Sequence, residues 1–455
     1  MRDKMLAELA ALRQTKDITA VAALRATGKA QRKTVPIAQL ATPPSRPRDA
    51  VAFIAAIERR LIPELLPQRH AKMLASPAAF FRGTAELMAY DLSHGSQSGI
   101  RVLTDGDAHL QNFGFYASPE RHLLFDLNDF DEAAPNSFEF DVKRLLTSTY
   151  LLGASAHYDE AEMDALVQDA AKTYRKTLKH AFKQPALTRF YASTNVDTLM
   201  QGLPGPDNAA LIAQIKHKAE KRDHESVVKK YTVMTASGQL RFKDSAPTTV
   251  HIAADTEVAL MQALVRYQQT TRPDTALLLS QYRVTDIVRH SVGIGSFGTT
   301  CYLVLLTGLG DSHLVLQVKE ALPRRRELGP DRLTITQQLE ASEGQRIIAA
   351  TQILQKASDP FLGWFNLGDK SFYVRQFRDM KESIDVTELS QPQFSAYARL
   401  CSYLLALAHA QSPLGAVAAG YLNKSFDEAV QTWAKAYLHQ VVADFAAVAE
   451  QYGTA

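Results

Sequence analysis

Cysteine is nearly absent: the 455 residues contain two, Cys301 and Cys401. Two thiols exclude a disulfide framework, and their spacing fits no metal-ligand pattern. Each lies in an apolar run and reads as a buried thiol. No window approaches the roughly 18 consecutive apolar residues that a membrane span needs, so none is expected. The N-terminal MRDKMLAELAALRQTKD interrupts its apolar residues with charges and offers no small-residue cleavage site. A secretory signal is therefore not expected, and cytoplasm is the expected compartment. A surplus of one charge sign is missing too. The formal charge of +3 is small for this length and argues against nucleic acid as the main partner. There is no internal repeat and no long low-complexity tract. What remains is ordinary for a globular chain, 46% hydrophobic and 22% charged, and long enough for about two or three domains.

Residues 1–48 are basic and end in TPPSRPR, so they read as an arm or a loosely docked helix followed by a linker. Apolar periodicity predicts helices over Ala50–Leu66 and Ala78–Leu92. A short strand, Ile100–Leu103, leads into GDAHLQN. Strands over Phe113–Tyr116 and His122–Leu127 flank a turn at Ser118–Arg121. Helices are predicted over Phe140–His157, Glu160–Phe182 and Asp255–Gln269, and the Lys- and His-rich Ile215–Lys230 reads as a solvated helix face. Tyr282–Arg289, Thr300–Thr307 and His313–Lys319 have strand composition. A helix over Arg332–Gln355 and a strand over Phe372–Arg378 follow. Phe394–Ala410 is apolar nearly all round and should be buried. Ser425 and Glu428 form a candidate capping box. The helix behind it aligns Val430, Trp433, Tyr437, Val441, Phe445 and Val448. The chain reads as an α+β protein of two lobes. Residues 49–279 form a helical lobe with the reactive loops, 280–385 a small antiparallel β lobe, and 386–455 helices that return to the first lobe.

GDAHLQN, Gly106 to Asn112, and FDLNDFDE, Phe125 to Glu132, carry the chemistry. Phosphoryl transfer needs an Asp that orients or deprotonates a hydroxyl, and an Asn and a second Asp that hold magnesium against phosphates. Asp107 and Asn112 fit the first loop; Asp107 as a simple turn cap is the plainer reading. Asp126, Asp129 and Asp131 crowd the second segment and would repel one another unless solvated or bound to a cation. A calcium loop fails, because Phe130 and Asp131 stand where an oxygen ligand and a glycine are required. Asp129 is the first choice of metal ligand and Asp126 the second. Downstream, VGIGSFG places Gly293, Gly295, Ser296 and Gly298 between two strands. A dinucleotide fingerprint would instead lead into a helix. The arrangement suits a loop folded over phosphates, or a plain hairpin turn. Lys319 ends the strand HLVLQVK, where it either reaches the same phosphates or snorkels to water. Glu343 is its candidate partner and Glu340 the alternative. Arg82 and His109 are candidates for phosphate or acceptor binding, with a structural role as the simpler reading.

From about Arg69 to Leu422 the chain resembles a bacterial family of unknown function, DUF2252. The resemblance rests on SPAAFFRGTAELMAYDL, GDAHLQNFG, FDLNDFDE, VGIGSFGTTCYLVLL, LQVKEA, EGQRI, SDPFLGW and FYVRQFRDMK. It implies no activity. At the level of motifs alone the chain also resembles the protein-kinase-like superfamily, which includes aminoglycoside and choline kinases. That resemblance implies a two-lobed kinase-like fold with Asp107 as catalytic Asp, Asn112 and Asp129 on magnesium, Gly293, Gly295 and Gly298 over ATP, Lys319 on its phosphates and Glu343 beside the lysine. Tyr373–Phe377 would be the hinge. The two motif groups occur in swapped order, which implies a circular permutation, and Asp131 stands where the metal motif usually has glycine. The expected function is transfer of a phosphoryl group from magnesium-ATP to an unidentified hydroxyl acceptor. A non-catalytic nucleotide-binding regulator and an AMP-transferring enzyme are the alternatives.

Overall fold

A computed structural model describes residues 20–44, 47–192, 194–201, 213, 217, 224–323, 342–377 and 384–453. Residues 1–19 and 45–46 of the N-terminal arm, Glu340 and the start of the helix expected from Arg332 lie outside the described residues, as do much of Ile215–Lys230 and Arg378 of the last predicted strand. The fold is mixed α+β, with small antiparallel sheets and a larger helical part.

The helical part is built around Glu139–Ser155, in which every residue from Glu139 to Gly153 is buried. Such a helix needs partners on all sides. Glu160–Ala181, Gln391–His409 and Lys424–Tyr452 pack around it in one continuous core. In the last helix Val430, Trp433, Tyr437, Val441 and Val448 are buried, and Phe445 packs against the core, as the periodicity predicts. Its cap differs from the expectation: Asn423, not Ser425, accepts the Ser425 N–H. Asn423 is itself an excellent cap residue and comes first in the chain. The capping box belongs to another helix, with Ser390 and Gln393 at the start of Gln391–His409.

Two predicted helices are broken. The expected Ala50–Leu66 helix ends at Glu58, and the chain resumes at Pro63 as the 3-10 helix Pro63–Leu65 followed by Leu66–Met73, because Pro63 starts a helix but cannot continue one. Ala78–Leu92 divides at Thr84 into Pro77–Gly83 and Ala85–Ser93. There the Thr84 hydroxyl bonds back to the Phe80 carbonyl and competes with the backbone ladder. The end of the arm is firmly docked. Helix Val21–Thr34 lies on Gly415–Tyr421, and Arg32 donates to the carbonyls of Tyr421 and Gly420.

Strands are numbered along the chain: β1 Arg101–Thr104, β2 Phe113–Ala117, β3 Leu123–Leu127, β4 Ala134–Ser137, β5 Thr232–Met234, β6 Leu240–Phe242, β7 Thr249–His251, β8 Tyr282–His290, β9 Cys301–Gly308, β10 His313–Ala321, β11 Gly363–Leu367 and β12 Lys370–Gln376. The pairs β1–β4 and β2–β3 brace the loops that carry Asp107 and Asp129 on the helical side. The principal sheet is antiparallel, in the order β11-β12-β10-β9-β8-β7. Alternation divides its side chains. Val304, Leu306, Leu316, Val318 and Val374 face helix Ala254–Gln268, while Leu303, Leu305 and Val315 face Val227 and Val228 of His224–Tyr231. β7 and helix Ala254–Gln268 belong to the sheet, because their apolar faces find cover there.

Candidate functional site

Gly106 starts the GDAHLQN loop at φ +84°, and a Cβ there would lie 2.3 Å from the Glu132 carbonyl oxygen. Only glycine lets the two acidic segments approach this closely. The loop is held from beneath by Asp141, which accepts the backbone N–H groups of Asp105 at 2.7 Å and Gly106 at 3.0 Å. His409 Nε2 sits 3.0 Å from the same carboxylate, and its Nδ1 meets the Tyr174 hydroxyl at 2.7 Å. Burial, then the carboxylates of Asp141 and Asp107, push the Asp105 carboxyl well above the usual range. Asp107 reaches the cavity, and Arg144 Nε donates to its Oδ1 at 2.8 Å. Arg144 is 3% exposed and stacks on the Phe81 ring. Asn112 Nδ2 donates to Asp105 Oδ2 and to the Asp107 and Asp129 carbonyls, so one amide ties both acidic segments together.

The glycine loop is clamped to the helical side. Buried Arg69 donates from Nη1 to the carbonyls of Ile294, Gly295 and Phe297, and from Nη2 to that of Gly83. Ile62 N donates to the Gly298 carbonyl, and Lys72 covers the Phe297 ring. Gly293 takes φ +88°, which turns the chain sharply out of β8.

Lys319 crosses from the sheet to the acidic loop. Its Nζ donates to Asp131 Oδ2 and lies 3.8 Å from Asp129 Oδ2. Burial lowers its proton affinity, but Asp129 and Asp131 outweigh that and hold it well above the ordinary lysine value. Tyr373 donates to the other Asp131 oxygen at 2.7 Å. Lys319 thus takes Asp131 and Asp129 as ion-pair partners in place of the expected Glu343. Glu343 accepts instead from Arg346 Nε at 2.6 Å, and Arg346 also donates to the Ala133, Asp131 and Leu322 carbonyls. One helical turn explains the exchange: position 343 begins its helix at the N-cap boundary, whereas 346 points at the acidic loop.

These segments meet around one cavity of about 840 Å³. Asp107, Asn112, Asp129 and Asp131 line one side, and Gly293, Gly295 and Ser296 another. Gln317, Tyr373 and Arg375 form part of its sheet side, with Arg375 Nε donating to Gln317 Oε1. Among the described residues no group of three His, Cys, Asp or Glu side chains is arranged to hold a metal ion.

Asp126, the second choice of metal ligand, does not line the cavity. It is 2% exposed and accepts the backbone N–H groups of Leu127 and Lys356. Strand alternation turns it away from the Asp129 side. Burial pushes its carboxyl up from 3.8 to about 7, against the lowering effect of those hydrogen bonds and of Lys356. A raised folded value means that its stabilisation is full below pH 3.8 and is lost as pH rises towards 7. Between pH 5 and pH 8 this single group should remove about 3 kcal/mol from the unfolding free energy. Asp126→Asn should flatten that slope in denaturant titrations. Identical slopes in both proteins would exclude Asp126 as its origin.

A family model described as an uncharacterised protein conserved in bacteria, DUF2252, matches residues 59–451. The chain belongs to the DUF2252 family. No curated protein and no solved structure matches it. In this DUF2252 chain several site residues escaped the sequence reading: Arg69, Asp141, Arg144, Arg346 and Arg375. Asp141 and Arg144 had a visible signal, since Glu139, Asp141, Lys143 and Arg144 are charged positions inside an otherwise buried helix. Arg69 had none, because three of its four backbone-carbonyl acceptors lie more than two hundred positions away.

Proposed function

We propose that this DUF2252 chain is a magnesium-ATP-dependent phosphotransferase acting on a hydroxyl acceptor. The observation that carries the reading is convergence. Asp131 and Lys319, 188 positions apart, are ion-paired beside a cavity also lined by Asp107, Asn112, Asp129 and the Gly293–Ser296 loop. The cavity lies within the usual range for small-ligand sites. Lys319 would pass from the carboxylates to the phosphates when nucleotide enters. Asn112 and Asp129 would hold magnesium, which supplies charge neutralisation on the phosphates when bound. A site with few protein carboxylates agrees with magnesium's preference for one or two of them plus phosphate oxygens. Asp107 would align the acceptor hydroxyl and take its proton. In this reading the swapped motif order is a circular permutation of a kinase-like fold, with the acceptor left unidentified.

The Arg144–Asp107 ion pair favours one rival, a regulator that binds nucleotide without turnover. A carboxylate held by a guanidinium is a weaker base. It remains a good orienting group, so the pair is compatible with catalysis by positioning. Thermal stability with magnesium-ATP is the first test: at a hundred times its dissociation constant the nucleotide should add about 2.7 kcal/mol. No stabilisation at any concentration up to millimolar would remove the nucleotide from the reading. Phosphate release separates enzyme from regulator, and the mass added to a modified acceptor separates phosphate from AMP transfer.

A further inference from the structure

The cavity is rich in arginine, and nearly every guanidinium already has a partner. Among its lining residues Arg69 is spent on four carbonyls, Arg60 on Glu86 and Arg375 on Gln317, and outside the lining Arg144 is spent on Asp107. Arg82 differs. Among the described residues it makes neither a hydrogen bond nor an ion pair, and its Nε is buried without a partner. Arg82 is half-buried and lines the cavity, and an enclosed guanidinium nitrogen without a partner is costly unless an anion visits the group.

Its position selects the anion. Arg82 lies in the last turn of Pro77–Gly83, directly beneath the glycine loop, with its carbonyl oxygen 3.3 Å from where a Gly295 Cβ would be. Its charge is close enough to act on Asp107, Asp129, Arg144 and His109. The group that passes between the glycine loop and Asp107 in a phosphotransferase is the phosphoryl group itself.

We infer that Arg82 is a catalytic residue that grips the phosphoryl group during transfer. The inference rests on the phosphotransferase reading above. In that step the acceptor oxygen bonds to phosphorus, the bond from the γ-phosphorus to the β–γ bridging oxygen breaks, ADP leaves with the bond's electrons, and the hydroxyl proton passes to Asp107. Arg82 neutralises the equatorial oxygens, as an arginine supplied in cis does in other phosphoryl-transfer enzymes.

The test uses the full chain with magnesium-ADP, with and without aluminium fluoride as mimic of the transferring group, read by calorimetry. In the wild type the fluoride should tighten ADP binding by about 10-fold or more. In Arg82→Gln that tightening should vanish while magnesium-ADP alone binds within about threefold of wild type. Arg82→Lys should recover part of it, because it restores charge without the planar fork. Full tightening in Arg82→Gln overturns the assignment and leaves the phosphotransferase reading intact. Failure of the wild type to bind magnesium-ADP overturns both. A melting temperature of unliganded Arg82→Gln no lower than that of wild type shows that the substitution has not unfolded the site.

Discussion

Asp107→Asn is expected to lower turnover by roughly 100-fold or more while magnesium-ATP still raises thermal stability. Asparagine is the informative replacement. Arg144 is almost fully buried and donates to Asp107 Oδ1, so alanine would leave a guanidinium without its acid. Breaking such a pair typically costs about 3–5 kcal/mol when both groups are buried. Asp107 is 21% exposed, so a smaller loss is expected here, but it would still blur the kinetic result. Asparagine keeps an oxygen for Arg144 and removes the charge and the basicity. The readout is steady-state phosphate release together with the nucleotide-induced shift in melting temperature. Turnover within threefold of wild type would remove Asp107 from the catalytic role. Loss of the nucleotide shift would instead mean that Asp107 serves binding.

The second large effect concerns Lys319→Met. Methionine fills the buried stem of the lysine and deletes its charge. Nucleotide affinity should fall by about 100-fold, the scale of a charge-assisted phosphate contact of roughly 3 kcal/mol. A further consequence follows from the ion pairs in the unliganded protein. Lys319 normally neutralises Asp131 and Asp129. Without it the two carboxylates lose their ion-pair partner, and a bound cation would relieve their repulsion. The variant should therefore be less stable than wild type in chelator, and magnesium alone should restore part of the loss. Wild type should respond much less to magnesium without nucleotide. Equal magnesium responses in the two proteins would show that the lysine does not occupy the cation's electrostatic place.

The motifs were legible because their chemistry is local. GDAHLQN puts a glycine, an Asp and an Asn on one tight loop, and only glycine can sit at 106 when the Glu132 carbonyl is so near. VGIGSFG between two β-branched runs could join only two strands. The buried stripe from Val430 to Val448 was likewise readable, since helical periodicity is set by backbone geometry. Boundaries were less secure where one residue competes with the pattern. Pro63 could not continue a helix that the apolar spacing would have extended. The Thr84 hydroxyl bent another.

Partnership was a different matter. Sequence spacing placed Glu343 near Lys319, but helix phase gave the acidic loop to Arg346 and left Lys319 to Asp131. Asp126 and Asp129 looked equivalent as carboxylates, and strand pairing alone turned one inward among backbone N–H groups and the other toward the cavity. The sequence by itself determined the element types, the two reactive loops and the family. Those follow from residue chemistry and periodicity within a few turns of chain. The tertiary structure alone decided which charges neutralise one another, and that Arg69 clamps the glycine loop while Arg82 has no partner. Such choices depend on distances between segments hundreds of residues apart, and local sequence carries no record of them.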